Sequence, residues 1–186
     1  MSFTFASPIH TGRLTLIPAT AQHVAAELES DAAFSALINA VVPASWPPGQ
    51  YDRDAQQYFL QALTEAGDAG TGWFGWYALS RANETNDATV IGCGGYFGPP
   101  SDEGVVEIGY SVCAEAQGRG FGTELARALV EHVRKYRDSM RVIAHTHDDN
   151  QASILVLERS GFVRAEVSDQ PDAILFEWKA SSATPA

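Results

Sequence analysis

A lone carboxylate, a run of alternating glycines and a histidine pair are the residues of this chain whose types and spacing invite chemistry. The carboxylate is Glu107, set between Val106 and Ile108 in the apolar, β-branched run Val105 to Cys113. A charge there needs either a polar cleft, where a half-buried carboxylate can have a raised pKa and act as a base, or a structural hydrogen-bond partner. The residue types leave both open. The glycines follow in Gln117-Gly-Arg-Gly120-Phe-Gly122-Thr123. Glycine takes backbone angles that other residues avoid and lets another group come close. Behind them Leu125, Leu129 and Val133, with Ala126 and Val130, draw one apolar stripe along a helix. A strand, a glycine-rich turn and a helix in succession can hold a phosphate or pyrophosphate, because the first helical turn offers unpaired N–H groups and the positive end of the dipole. Tight turns also use glycine for purely structural reasons.

Two phosphate motifs fail here. A P-loop carries Lys-Ser or Lys-Thr after its last glycine, whereas Thr123 follows Gly122 directly. A dinucleotide fingerprint has two residues between its second and third glycines, and only Phe121 stands there. The histidines, His145 and His147, share a face of the strand Arg141 to His147 by alternation, with Asp148 and Asp149 next. These are metal-ligand types, but so close together they read as a strand end and a turn, and no metal is expected.

Gln117-Gly-Arg-Gly120-Phe-Gly122 resembles the Gln/Arg-x-x-Gly-x-Gly/Ala signature of the GNAT superfamily of N-acetyltransferases. Further on, Asn150-Gln-Ala-Ser153 before Leu157-Glu-Arg-Ser-Gly161-Phe162 resembles that family's second cofactor segment, whose helix ends in Gly-Phe. The opening Thr11-Gly-Arg-Leu-Thr-Leu16, followed by two predicted helices, is similar to the subgroup that includes the ribosomal-protein N-terminal acetyltransferases.

The resemblance implies acetyl-CoA as co-substrate and a primary amine as acceptor, with a protein N-terminus ahead of a small molecule. It implies that backbone near Val112 and Cys113 bonds the pantetheine arm. The turn formed by Gln117, Gly118, Arg119, Gly120, Phe121, Gly122 and Thr123 would hold the pyrophosphate through N–H groups, with Arg119 adding charge or staying solvated. Asn150 and Ser153 belong to the second cofactor segment. Glu107 aligns with an acidic position that several members use as general base. The usual acid, a tyrosine four residues before Gly-Phe, is replaced by Leu157. Ser153 is the substitute implied by the subgroup and Tyr110 a further option, although a thiolate also leaves without help. Two rivals stay open: a catalytically inactive CoA-binding module, and a nucleotide-binding protein using the same turn.

The elements that position these residues follow from the rest of the chain. At 186 residues it reads as one domain, 13–180, between an arm at 1–12 and a tail at 181–186. Strands are predicted at Arg13 to Pro18, Gly72 to Leu79, Thr89 to Phe97, Val105 to Cys113, Arg141 to His147, Phe162 to Ser168 and Ala173 to Lys179. Helices are expected after Thr20, Asp31, Asp52, Thr123 and Asn150. Val41 to Tyr51, with its prolines and Trp46, reads as a loop; Trp46 and Tyr51 either line a substrate site or anchor the loop to the core. The expected class is α/β (α+β): the GNAT fold, a mixed central sheet of about seven strands, helices on both faces and a splayed central strand pair.

The net charge of −11, without a basic cluster, argues against a nucleic-acid partner. An acidic surface either attracts a cationic amine or basic peptide, or simply keeps the protein soluble. The two cysteines, Cys93 and Cys113, make no disulfide framework and read as buried free thiols. With no signal-like N-terminus and no run long enough to span a bilayer, a cytoplasmic location and a monomer or homodimer are expected.

Overall fold

The computed structural model describes residues 5–81, 87–168 and 170–180. Most of the expected turn at 81–87, Asp169 of the turn after the sixth predicted strand, and the tail at 181–186 lie outside them. The strands are β1 (Ile9–His10), β2 (Leu14–Pro18), β3 (Trp76–Ser80), β4 (Val90–Tyr96), β5 (Val105–Val112), β6 (Arg141–Thr146), β7 (Phe162–Arg164) and β8 (Ile174–Trp178). They form one sheet in the order β1-β2-β3-β4-β5-β6-β8-β7. Neighbours are antiparallel except β5 and β6, which run parallel. The helices are α1 (Ala21–Glu29), α2 (Asp31–Ile38), α3 (Arg53–Ala66), α4 (Phe121–Tyr136) and α5 (Gln151–Arg159). Among the described residues none is long and apolar enough to cross a membrane.

The eighth strand comes from the segment expected to be a loose arm. Ile9 and His10 pair with Leu16 and Thr15, and the Phe5 ring stacks 3.9 Å from Trp73. The aromatic stacking and the strand pairing together offset the freedom the arm loses. The sixth predicted strand is shorter than expected. It leaves the ladder after Arg164, and Val167 lies 77% exposed with nothing to pack against.

Capping fixes where helices begin. Thr20 Oγ1 accepts from His23 N and His23 Nδ1 accepts from Thr20 N, a reciprocal cap on α1. Asp52 caps α3 through the amides of Asp54 and Ala55, and Asn150 caps α5 through Ser153 N. Asp31 is not the cap of α2: Ser30 is, and Asp31 is the first helical residue, where its charge complements the dipole. Helix α4 starts at Phe121, two residues earlier than the Thr123 start expected.

Alternation along β5 sorts the site. Val106 and Ile108 face α4, in a core with Leu16, Trp76, Leu125, Leu129 and Val133. Glu107 and Ser111 take the opposite face, which α1 to α3 cover. Ser111 stands opposite Cys93 and Cys93 opposite Tyr77, so those three form one row across the sheet. Cys93, Cys113 and Tyr77 pack there with Val24, Phe34, Trp46 and Leu63, and both cysteines are buried free thiols. On β4, Gly92 is dictated by contact: a Cβ there would collide with Ser111 O.

Candidate active site

The parallel pair is incomplete. Val105, Val106 and Glu107 pair with Arg141, Val142 and Ile143, and pairing stops there, although β5 runs on to Val112. The bonds from Phe97 N to Glu107 O and from Cys113 N to Ile91 O bracket the β4–β5 ladder. By antiparallel alternation, the backbone groups of Tyr110 and Val112 then turn toward the side that β6 has vacated. A cavity of about 400 Å³ occupies this split and extends under α1 and α3. Its wall includes Glu107, Tyr110, Ser111, His145, Asn150 and Ser153.

At the end of β5 the chain turns through Gly118 (φ 71°) and Gly120 (φ 79°), left-handed angles that favour glycine. Glu124 N is the first amide of α4 to find a helical acceptor, at Gly120 O. Among the described residues no protein group accepts from the amides of Gly118 to Thr123, so the helix head presents unpaired donors. Gln117 does not reach out to join them; its Nε2 donates to Val112 O at 3.0 Å and ties the turn to the strand. Cys113 drops out as a backbone anchor too, because its N–H bonds Ile91 O and its carbonyl accepts from Ala116 N. Val112 N–H remains.

Two guanidinium groups flank the turn. Arg119 lies over the Phe121 ring at 5.1 Å and Arg13 over the same ring at 4.3 Å. Arg13 is held by Glu124 (Nε to Oε2, 2.7 Å) and donates to Arg119 O at 2.8 Å. Burial pushes the Glu124 carboxyl up, but hydrogen bonds from Thr11 and Arg13 outweigh it and hold the group below its ordinary range.

Residues 13–163 match the family described as the acetyltransferase (GNAT) domain. The chain belongs to the GNAT acetyltransferase family. The uncharacterized N-acetyltransferase YjdG of Bacillus subtilis is 27% identical over 119 residues, 63% of this chain and 67% of that protein. Ribosomal-protein acetyltransferases share the architecture. RimL, a ribosomal L7/L12 α-N-protein acetyltransferase solved with coenzyme A, superposes with a TM-score of 0.62 at 20% identity over 92% of this chain and 97% of its own. The ribosomal-protein-S5-alanine acetyltransferase of Vibrio fischeri gives 0.63 at 17% over 96% and 100%. Identities this low carry the fold and nothing finer.

Within this GNAT domain, two pairs of side chains meet across the split. Glu107 Oε1 lies 2.7 Å from His145 Nδ1, with Glu107 27% and His145 7% exposed, and Gln170 Nε2 approaches the same nitrogen at 3.3 Å. On the α4 side, Tyr110 Oη donates to Ser153 O at 3.1 Å and lies 3.1 Å from Ser153 Oγ. Burial pushes the Tyr110 phenol up to about 12. Leu157 is buried in the core. The histidines separate: His147 Nδ1 lies 3.0 Å from Asp172 O, and among the described residues no group of three or more His, Cys, Asp or Glu side chains is placed to hold a metal ion.

The loop from Val41 to Tyr51 closes the other side. Trp46 anchors it, 7% exposed and packed 5.4 Å from Phe34, whereas Tyr51 lines the cavity. Ser111 Oγ donates to Pro48 O at 2.9 Å and Ala114 N to Ser45 Oγ at 3.1 Å, which pins the loop over the end of β5. The residues that sequence reasoning did not assign to the site are Arg13, Glu124, His145 and Gln170, with Tyr51 left between two roles.

Proposed function

We propose that the protein moves an acetyl group from acetyl-CoA to a primary amine, with Glu107 as the general base. The observation that carries this reading is the coincidence of unpaired amides at the head of α4 with the split between β5 and β6, and with a half-buried carboxylate on the wall of that split. The amides of Gly118 to Thr123, with Arg119 and Arg13 nearby, suit a diphosphate. Val112 N–H suits an amide of the pantetheine arm or the thioester oxygen. Acetyl-CoA supplies an activated acyl carbon and a thiolate leaving group.

The acceptor arrives mainly as ammonium and is a nucleophile only after losing a proton. Glu107 takes that proton on its free oxygen, directly or through a water, while His145 holds the other oxygen in place. The new N–C bond forms as the C–S bond breaks, and the departing sulfur needs a proton. Tyr110 supplies it in this reading, with Ser153 orienting the phenol. Its raised pKa keeps it a donor throughout the neutral range. The opening Thr11-Gly-Arg-Leu-Thr-Leu16, which resembles the ribosomal-protein subgroup, favours a peptide N-terminus over a small amine as acceptor.

Glu107→Gln tests the assignment. Turnover is expected to fall roughly ten- to ten-thousand-fold while calorimetric affinity for CoA stays within about twofold. Equal loss of both would remove Glu107 from the chemistry. Leu157 in place of the usual tyrosine gives the idle CoA-binding module its one supporting observation. Tight CoA binding with no thiol release over a broad amine panel would establish that module instead.

A further inference from the structure

The cavity does not end at Glu107. It continues under α1 and α3, where its wall includes Val24, Tyr51, Ala55, Tyr77 and Cys93. Directly behind that wall sits Glu27, a carboxylate 9% exposed in the middle of an apolar core. Gln56 Nε2 donates to its Oε2 at 2.6 Å and Tyr51 Oη approaches its Oε1 at 3.4 Å. No cation accompanies it: no described residue makes a salt bridge to Glu27. Beside it Tyr77 is 1% exposed, and its hydroxyl has no hydrogen-bond partner among the described residues. A buried hydroxyl with no partner and a buried carboxylate with no counter-charge are both costly. Both costs fall together if something cationic with N–H groups to donate enters at this end.

We propose that Glu27, Tyr51 and Tyr77 form a second subsite that receives an ammonium group of the acceptor, at the far end of the cavity from Glu107. The inference rests on the amine-acetyltransferase reading and extends it from "a primary amine" to a primary amine bearing a second cationic group. The spacing follows from the sheet. Tyr77, Cys93 and Ser111 form one row, and Glu107 stands four residues from Ser111 along β5 on the same face, roughly 13 Å at strand rise. An ammonium reaching the row meets the Tyr77 oxygen and the face of Tyr51, which adds cation–π attraction, and feels the charge of the Glu27 carboxylate behind Tyr51. The acidic protein as a whole, at −11, draws such acceptors in. A linear diamine and a peptide with a basic side chain a few residues after its N-terminus share this chemistry.

The experiment compares kcat/KM with acetyl-CoA for α,ω-diamines of graded length against monoamines of equal length. In parallel, it compares tetrapeptides carrying lysine at positions two, three or four with their norleucine counterparts. The wild-type protein is expected to prefer the dication of the right length about ten- to hundredfold, the range of a charge-assisted hydrogen bond. That ratio should collapse toward one in Glu27→Gln and shrink in Tyr77→Phe, which removes one oxygen and keeps the ring in the core. The arm that shows the preference identifies the source, diamine or peptide. A ratio near one at every length, or one untouched by both variants, overturns the subsite. Titration calorimetry separates the two levels. Diamine binding without turnover, lost in Glu27→Gln, keeps the subsite and removes the transferase reading; neither binding nor turnover removes the subsite.

Discussion

The two faces of the sheet are built to different standards of completeness. On the α4 face no buried side-chain polar atom among the described residues lacks a partner. Tyr96 Oη donates to Leu129 O at 2.7 Å, Trp76 Nε1 to Gly72 O at 2.8 Å, and His132 Nε2 lies 2.8 Å from Phe5 O. On the α1–α3 face, Trp46 Nε1 and Tyr77 Oη are the two buried side-chain atoms without partners among the described residues, and Glu27 is buried beside one of them. Under the proposed function, the closed face carries stability and the open face carries recognition, and the split between β5 and β6 is where cofactor and acceptor would meet.

The widest test of this division removes packing from the closed face. Leu129→Ala deletes a fully buried side chain and is expected to cost about 2–5 kcal/mol of unfolding free energy. Turnover per folded molecule should hold within about threefold, because Leu129 lines no part of the cavity. Chemical denaturation with activity measured below the transition checks both. A folded Leu129→Ala protein that is inactive would mean the two faces are not separable.

The open face predicts a pH signature of its own. Burial raises the Glu27 pKa to about 7, against the nearby Tyr77 hydroxyl and the hydrogen bonds from Gln56 and Tyr51, which lower it. In the unfolded chain the group titrates near 4.5, so between those values the folded state holds more protons and stability falls as pH rises. Glu27 alone should cost on the order of 3 kcal/mol by pH 8 relative to pH 4. The closed face slopes the other way. Burial lowers His132 to about 4, so its contribution is complete above 6.5 and is lost as pH falls toward 4. Denaturation at a series of pH values should therefore show Glu27→Gln flattening only the decline that runs from about 4.5 to about 7. A variant that leaves that decline unchanged would place the buried charge elsewhere.

The sequence foretold the elements better than their meetings. Strands, helix caps and the glycine turn follow from local periodicity and turn chemistry, so Gln117 to Thr123 and Glu107 could be named in advance. Arg13 could not: it is held by Glu124, 111 residues away. His145 was visible as a strand histidine, but its partner depends on the register of two strands separated by a helix. Glu27 did leave a local trace. It stands three residues after Val24 and one before Leu28, on the apolar stripe of α1, where a charge is out of place on a solvated helix. Gln117 matched a signature in type and Cys113 was placed by the resemblance, while the structure shows what their groups are already doing.

A smaller effect is expected at the turn. Gly120→Val forces a β-branched residue to φ 79°, a strain of about 1–2 kcal/mol that also tilts the helix-head amides. CoA affinity should fall roughly tenfold, with unfolding free energy reduced by a similar amount. Unchanged CoA affinity by calorimetry would move the diphosphate away from α4.

The smallest predicted effect concerns the proton for the leaving sulfur, on the α4 side of the split. Tyr110 is held by Ser153 and pushed up to about 12 by burial, so it keeps its proton throughout the neutral range. Thiolate needs little help to leave, so Tyr110→Phe should lower kcat only about three- to tenfold. The deficit should be constant from pH 7 to pH 10, because no titration of Tyr110 falls within that span. Ser153→Ala should reproduce part of it by freeing the phenol, with KM for acetyl-CoA little changed. A deficit that grows as pH rises would mean that a group of lower pKa supplies the proton. No deficit in either variant would leave the sulfur to depart unassisted, and the pair would then serve only to join β5 to α5.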